Sequence, residues 1–205
     1  MKYVTRNIRI FTSQVRNQSL SDTLMLFIKS LFRRERILIY SKELDAVICE
    51  KLYPELDASI TLGNHDDLYQ MRKSTKMLAW EFCCDLYDGV KDKFIYKNNG
   101  AVGHISWIYY KNDPNRILDL GGNEGEIKYS LTLPQFRGRG IYPAILVRIQ
   151  SYLKEHGYKR VYICVKDDNL ASIKGIEKAG FKYIARINLV KILGIQLSRR
   201  YAAGH

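Results

Sequence analysis

Residues 126–145 read EIKYSLTLPQFRGRGIYPAI, and this stretch fixes the reading of the whole chain. From Ile127 to Leu133 large apolar residues alternate with polar ones, the two-residue period of a pleated strand. Pro134 stops that strand, and Arg137, Gly138, Arg139 and Gly140 make a short loop that runs straight into a helical pattern. Pro143 is tolerated in the first turn of that helix, where its missing N–H would have been unpaired anyway. Gly138 and Gly140 let the loop turn tightly and approach a ligand, and the first helical turn presents unpaired N–H groups to it. An anion is the natural guest, and two arginines in the loop suit a pyrophosphate better than a single carboxylate.

Two familiar phosphate loops fit poorly. A Walker loop needs Lys and then Ser or Thr after its last Gly, where Ile141 and Tyr142 stand, so ATP hydrolysis is not expected. The dinucleotide fingerprint needs a third Gly at Pro143. The run Gln135, Phe136, Arg137, Gly138, Arg139, Gly140 instead resembles the acyl-CoA loop of the GNAT acetyltransferases, Gln or Arg, two residues, Gly, one residue, Gly or Ala. Downstream, Gly157 ends the helix, Arg160 to Val165 make a β-branched, aromatic strand, and Asn169 heads a short helix that closes at Gly180-Phe181. The same order of elements is similar to that family's.

The resemblance implies an α/β (α+β) GNAT fold, a mixed, mostly antiparallel central sheet with helices on both faces, carrying an N-terminal extension. Residues 1–57 are assigned to that extension and 58–205 to the acyltransferase domain. In the extension, Asp22 caps a helix from Thr23 to Phe32 followed by the basic cluster Arg33 to Arg36, a pattern compatible with peripheral membrane contact, and Ile37 to Tyr40 read as a strand. Next come a short strand Ile60–Leu62 and a helix with Leu68, Met71, Thr75, Leu78, Ala79 and Phe82 at helical spacing, a pattern that can run on toward Tyr87, in the same helix or as a second one. Strands Lys93–Lys97 and Val102–Tyr110 are joined by Asn98-Asn99-Gly100, a hairpin signal. On the second of them His104, Ser106, Ile108 and Tyr110 share one face and Ile105, Trp107 and Tyr109 the other. Asn112 to Gly125 is an inserted loop, and the strands Tyr183–Lys191 and Gly194–Arg199 complete the sheet.

Composition sets the outer bounds. With 205 residues, 46% of them hydrophobic, the chain can bury a real core. No apolar run approaches the ~20 residues of a spanning helix, and residues 1–10 lack the apolar core of a signal peptide, so a cytoplasmic location is expected. Cys49, Cys83, Cys84 and Cys164 form no CxxC pair and no metal is expected. The net charge of +12 suits anionic ligands, and no RNP-like or Cys/His module marks a specific nucleic-acid surface.

What the resemblance implies for chemistry is transfer of an acetyl or short acyl group from acetyl-CoA, or another acyl-CoA, to a primary amine. By the match, backbone amides of Leu131, Thr132 and Leu133 line the pantetheine, those of Gln135, Phe136, Arg137, Gly138, Arg139, Gly140 and Ile141 the pyrophosphate, and Asn169 with Ser172 the pantetheine arm. Tyr69, Arg72 and Tyr87 are acceptor-contact candidates. For the general base two residues stand open, Glu126 at the head of the central strand and His104, whose unperturbed pKa of ~6.5 suits neutral pH. The chain departs from the family where a Tyr acid usually stands: Ile176 holds that position. Ser172 or Tyr183 could replace it, coenzyme A could leave as thiolate, or the domain could bind acyl-CoA without turning it over, as an acyl-CoA- or nucleic-acid-binding module. Among acceptors, a looser resemblance favours a nucleotide-linked amino sugar of bacterial surface-polysaccharide synthesis, ahead of a peptide or other small amine. A homodimer is compatible with all of this.

Overall fold

The computed structural model describes residues 32–45, 53–75, 78–192 and 195–203. Cys49 and the helix expected from Thr23 lie outside them, apart from Phe32, which begins a strand. In chain order the elements are β1 (Phe32–Glu43), α1 (Pro54–Asp57), β2 (Ile60–Leu62), α2 (His65–Ser74), a 3-10 turn Trp80–Cys83, α3 (Cys84–Asp88), β3 (Lys93–Asn98) and β4 (Ala101–Tyr109). They continue with β5 (Glu124–Thr132), a 3-10 turn Pro134–Phe136, α4 (Ile141–Glu155), β6 (Arg160–Lys166), α5 (Leu170–Lys178), β7 (Lys182–Ile192) and β8 (Ile195–Ala203). No described helix is long and apolar enough to cross a membrane.

These elements form two compact units, Ile39–Tyr183 and a smaller one holding the described residues up to Leu38 and from Ile184 onward. Ile39, Tyr40 and Leu44 are buried in the larger unit, the Leu44 amide donates to the Lys159 carbonyl, and the Tyr40 hydroxyl donates to Glu177. In the smaller unit β7 and β8 pair antiparallel from Ala185↔Ala203 to Ile192↔Ile195.

Within the larger unit the sheet runs β2-β3-β4-β5-β6, with the end of β1 beyond β6. The ladders are antiparallel up to β5 and parallel between β5 and β6. Asn99 and Gly100, at φ 49° and 78°, make the β3–β4 turn, as the left-handed geometry of a two-residue hairpin requires. Trp107, Ile105 and Tyr109 pack with Leu68, Phe82 and Val90 on one face. On the other face, Leu153 of α4 lies near Gly125 and Ile108.

Asn64 starts α2 through a capping box with Asp67, its side chain accepting from the Asp67 amide at 2.8 Å. The helical pattern toward Tyr87 is divided: α2 ends at Ser74, and a second helix, α3, carries Tyr87. The chain doubles back so that the Arg72 guanidinium holds the Phe82 carbonyl and Asp85, while the Trp107 indole donates to the Glu81 carbonyl at 2.7 Å. Tertiary hydrogen bonds thus override the helical period of Leu78, Ala79 and Phe82.

One irregularity shapes the site. Ile105 faces Leu131, yet Trp107 faces Lys128, so β5 carries one extra residue, and Tyr129 there has φ 52°. Directly opposed residues share a face. The bulge therefore leaves Glu126 and Lys128 on the Trp107 side and turns Ser130 and Thr132 to the His104 side.

Candidate active site

Strands β5 and β6 pair only as far as Ile127↔Ile163, and beyond that point they part. The N-termini of α4 and α5 flank the opening, which forms a cavity of ≈ 580 Å³. Alternation decides which β5 amides reach it. The Leu133 N–H donates to the Gly103 carbonyl at 2.9 Å, so Leu133 and Leu131 face β4, and the amide between them, Thr132's, points into the opening. This corrects the expectation for the Leu131 and Leu133 amides, which are turned to β4. The Thr132 carbonyl, on the same side, accepts from Arg137 Nε at 3.1 Å.

The loop that follows is spent in part as well. The Phe136 and Arg137 amides donate to the Leu133 and Pro134 carbonyls, correcting their expected role as anion donors. The amides of the next residues open on the cleft as the head of α4, whose capping residue Gly140 provides no side-chain cap. Gly138 sits at φ 77° with open space where a Cβ would be, and Gly140 at φ 73° lies under the Tyr53 ring. Gln135 and Arg139 do not line the cavity, and the Arg139 guanidinium lies 5.6 Å from the centre of the Phe136 ring. Across the cleft Asn169 caps α5 by accepting from the Ser172 amide at 3.2 Å, and both residues line the wall.

Sequence reasoning missed part of this wall. Lys174 and Lys178, exposed and four residues apart on α5, put cations beside the loop, a spacing that could have been read from the sequence. Gly175 between them was the other signal: a Cβ there would stand 2.7 Å from the Tyr142 ring, so only glycine lets α5 approach the start of α4. Tyr142 and Ser130 also line the cleft.

Of the two base candidates, His104 is at the cleft and Glu126 is not. The His104 ring stacks on Tyr142 at 5.7 Å, and its nitrogens meet the Thr132 and Ser106 hydroxyls at 2.7 and 2.8 Å. Burial lowers its pKa to about 3, so it is a neutral, hydroxyl-bonded imidazole at pH 7 and a weak base there, against the sequence-based expectation. Glu126 is wholly buried on the opposite face. Its carboxylate accepts from the Ile117 and Leu118 amides at 3.0 and 3.3 Å, which ties down the inserted loop. Burial pushes its pKa up, and Lys128, those amides and Cys164 pull it back. Lys128 in turn donates to the Asn115 carbonyl and lies over the Tyr109 and Tyr129 rings.

The acceptor candidates lie away from the cavity. Tyr69 is exposed and stacks on His65, Arg72 is engaged with Phe82 and Asp85, and Tyr87 is exposed on α3. Ile176 is fully buried, and Tyr183 is exposed, edge-on to Tyr40, so neither is at the cleft.

The sequence profile of the acetyltransferase (GNAT) domain matches residues 50–182. An acetyltransferase of Pectobacterium atrosepticum is 35% identical over 72 residues, 35% of this chain and 51% of that protein, so the chain spans about half the length of that relative. Among solved structures, a GNAT-family acetyltransferase from Colwellia psychrerythraea is similar at TM-score 0.55 and 16% identity, over 82% of this chain and 57% of that one. A GCN5-related N-acetyltransferase from Sphaerobacter thermophilus gives TM-score 0.54 at 16% identity, over 87% of this chain and 59% of that one. These two likenesses concern the fold.

Proposed function

The chain belongs to the GNAT acetyltransferase family, and on that premise we propose that it transfers an acetyl or short acyl group from coenzyme A to a primary amine by direct attack in a ternary complex. The observation that carries this reading is the parting of β5 from β6, with the Thr132 amide and the open amides at the head of α4 facing one cavity. That donor set fits a thioester-bearing carrier with a diphosphate. Gly138, Gly140 and Ile141 would hold the diphosphate, Asn169 and Ser172 the pantetheine arm, and Lys174 and Lys178 further phosphate charge.

A thioester and an amine react directly once held in line, so positioning supplies much of the rate. The Thr132 amide is the chain's donor for a carbonyl oxygen gaining charge. With His104 neutral and Glu126 sealed away, the amine's proton leaves through the water of the open cleft.

For the acceptor we infer a nucleotide-linked amino sugar of the kind used in bacterial surface-polysaccharide synthesis. Its support is charge: a chain of net +12 attracts a diphosphate-bearing amine and repels a polycation. Thermal-shift measurement tests the donor: acetyl-CoA at a hundred times its Kd should stabilise the fold by about 2.7 kcal/mol, with no effect from ATP or RNA. Release of free thiol on adding UDP-linked amino sugars, but not spermidine, tests the acceptor. Stabilisation without thiol release from any amine would leave an acyl-CoA-binding module instead.

A further inference from the structure

The wall of the cleft holds a chain of side chains whose hydrogen bonds run in one direction. The Ser106 hydroxyl donates to Ser130 Oγ at 2.7 Å, so its single proton is spent. The 2.8 Å contact between Ser106 Oγ and His104 Nε2 then needs the proton on the imidazole. A neutral imidazole carrying its proton on Nε2 has a bare Nδ1, which accepts from the Thr132 hydroxyl at 2.7 Å. At the far end Ser130 and Tyr142 line the same cavity. Ser130 has accepted from Ser106, so its own proton is left to donate onward. Every donor from Thr132 therefore runs one way along the wall as far as Ser130, and Tyr142 stands on that wall with its ring stacked on His104.

We propose that the Tyr142 hydroxyl is the hydrogen-bond donor to the leaving sulfur, the role for which the chain has Ile176 in place of a tyrosine on α5. The assignment rests on the acyl-CoA reading of the cleft. Two independent features fix the phenol there: its ring stacks on His104, and Gly175 clears the space that a side chain on α5 would take. In this assignment the remaining Ser130 proton goes to the phenol oxygen. In the step itself the amine nitrogen bonds to the carbonyl carbon, the C–S bond breaks, and its electron pair stays on sulfur. Tyr142 donates a hydrogen bond to that thiolate and keeps its proton. The proton lost by the amine passes to water in the cleft, and the thiolate takes one up from water on release. Burial raises the pKa of the phenol, so it stays protonated throughout. His104, Ser106 and Ser130 are positioning residues, since they act through Tyr142.

The test needs no acceptor. Bound coenzyme A is titrated by its thiolate absorbance on the full-length protein and on Tyr142→Phe, with desulfo-coenzyme A, which lacks the sulfur, as the control for an intact cleft. On the wild type the thiol should ionise about one pH unit lower than on Tyr142→Phe, a tenfold change in thiolate fraction, while both proteins bind desulfo-coenzyme A equally. Identical thiol titrations in the two proteins would overturn the assignment and leave the acyl-CoA reading standing. A wild type that binds neither ligand would sink that reading and the assignment with it. If Tyr142→Phe fails to fold, Ser130→Ala takes its place: it frees the phenol to turn, so the bound thiol should move back toward its ordinary range, and an unshifted titration there overturns the proposal.

Discussion

The two ends of β5 carry polar side chains of similar promise in the sequence and opposite fates in the fold. At one end Glu126 and Lys128 are packed beneath the loop of residues 112–123, their polar atoms engaged by the Ile117, Leu118 and Asn115 backbone and by aromatic faces. At the other end Ser130, Thr132 and His104 sit on a wall where β6 has moved away and donors remain for a ligand. The extra residue at Tyr129 separates them, by turning the strand over between Lys128 and Ser130. A titratable group with all its valences filled by the chain holds structure, whereas one beside unspent donors can serve chemistry.

The sharpest way to break this contrast is to empty the closed end. Glu126→Ala strips the Ile117 and Leu118 amides of their acceptor. A loss of about 1–3 kcal/mol for each stranded amide is expected in urea unfolding. If stability is unchanged and acyl transfer alone is lost, Glu126 is a base after all.

The open end should respond in binding as well as stability. Gly175→Ala places a methyl 2.7 Å from the Tyr142 ring and should cost about 1–3 kcal/mol by overpacking. Calorimetric titration should show coenzyme A binding weakened about tenfold along with it, an effect that Glu126 variants retaining the fold should not share.

A pH series then separates the ends by titration. The folded-state pKa of His104, about 3, lies below its unfolded value near 6.5, so the unfolded chain binds more protons in between. Stability from this group is full above pH 6.5 and falls as pH drops toward 3, by at most about 1.4 kcal/mol per unit. His104→Gln should flatten that part of the pH dependence relative to wild type, as followed by thermal unfolding between pH 7 and pH 5. An unaltered slope would mean that His104 titrates normally and is accessible as a base.

The smallest expected effect tests the loop alone. Gly138→Ala meets no neighbour, but it forces a side chain to φ 77°, which costs about 1 kcal/mol. Chemical denaturation should show that loss, and coenzyme A affinity should fall with it.

Much of this architecture was legible in local pattern. The strand, glycine loop and helix from Ile127, the Asn169 cap, the Gly157 helix stop and the Asn99-Gly100 turn each follow from one residue's own backbone preference. The alternating faces of β4 were legible for the same reason. What escaped depended on distant partners. Nothing near Glu126 in the sequence announces that the amides of Ile117 and Leu118 will close over it, and the helical spacing of Leu78, Ala79 and Phe82 conceals the Arg72 contacts that break the helix. The bulge at Tyr129 is a matter of register between strands, so the turning of Ser130 to the His104 side was hidden with it. Phe32, assigned from the sequence to the end of a helix, instead begins β1 together with Arg33 to Arg36, because strand pairing is set by residues distant in the chain.

The central claim is that bare amides at the head of α4 bind the diphosphate of an acyl carrier. Backbone amide chemical shifts measured with and without coenzyme A test it directly. The account predicts that the Gly138, Gly140, Ile141 and Thr132 resonances move most, and Ile117 and Leu118 hardly at all. Saturating coenzyme A that left the 138–141 amides unmoved, or shifted the loop over Glu126 instead, would contradict it.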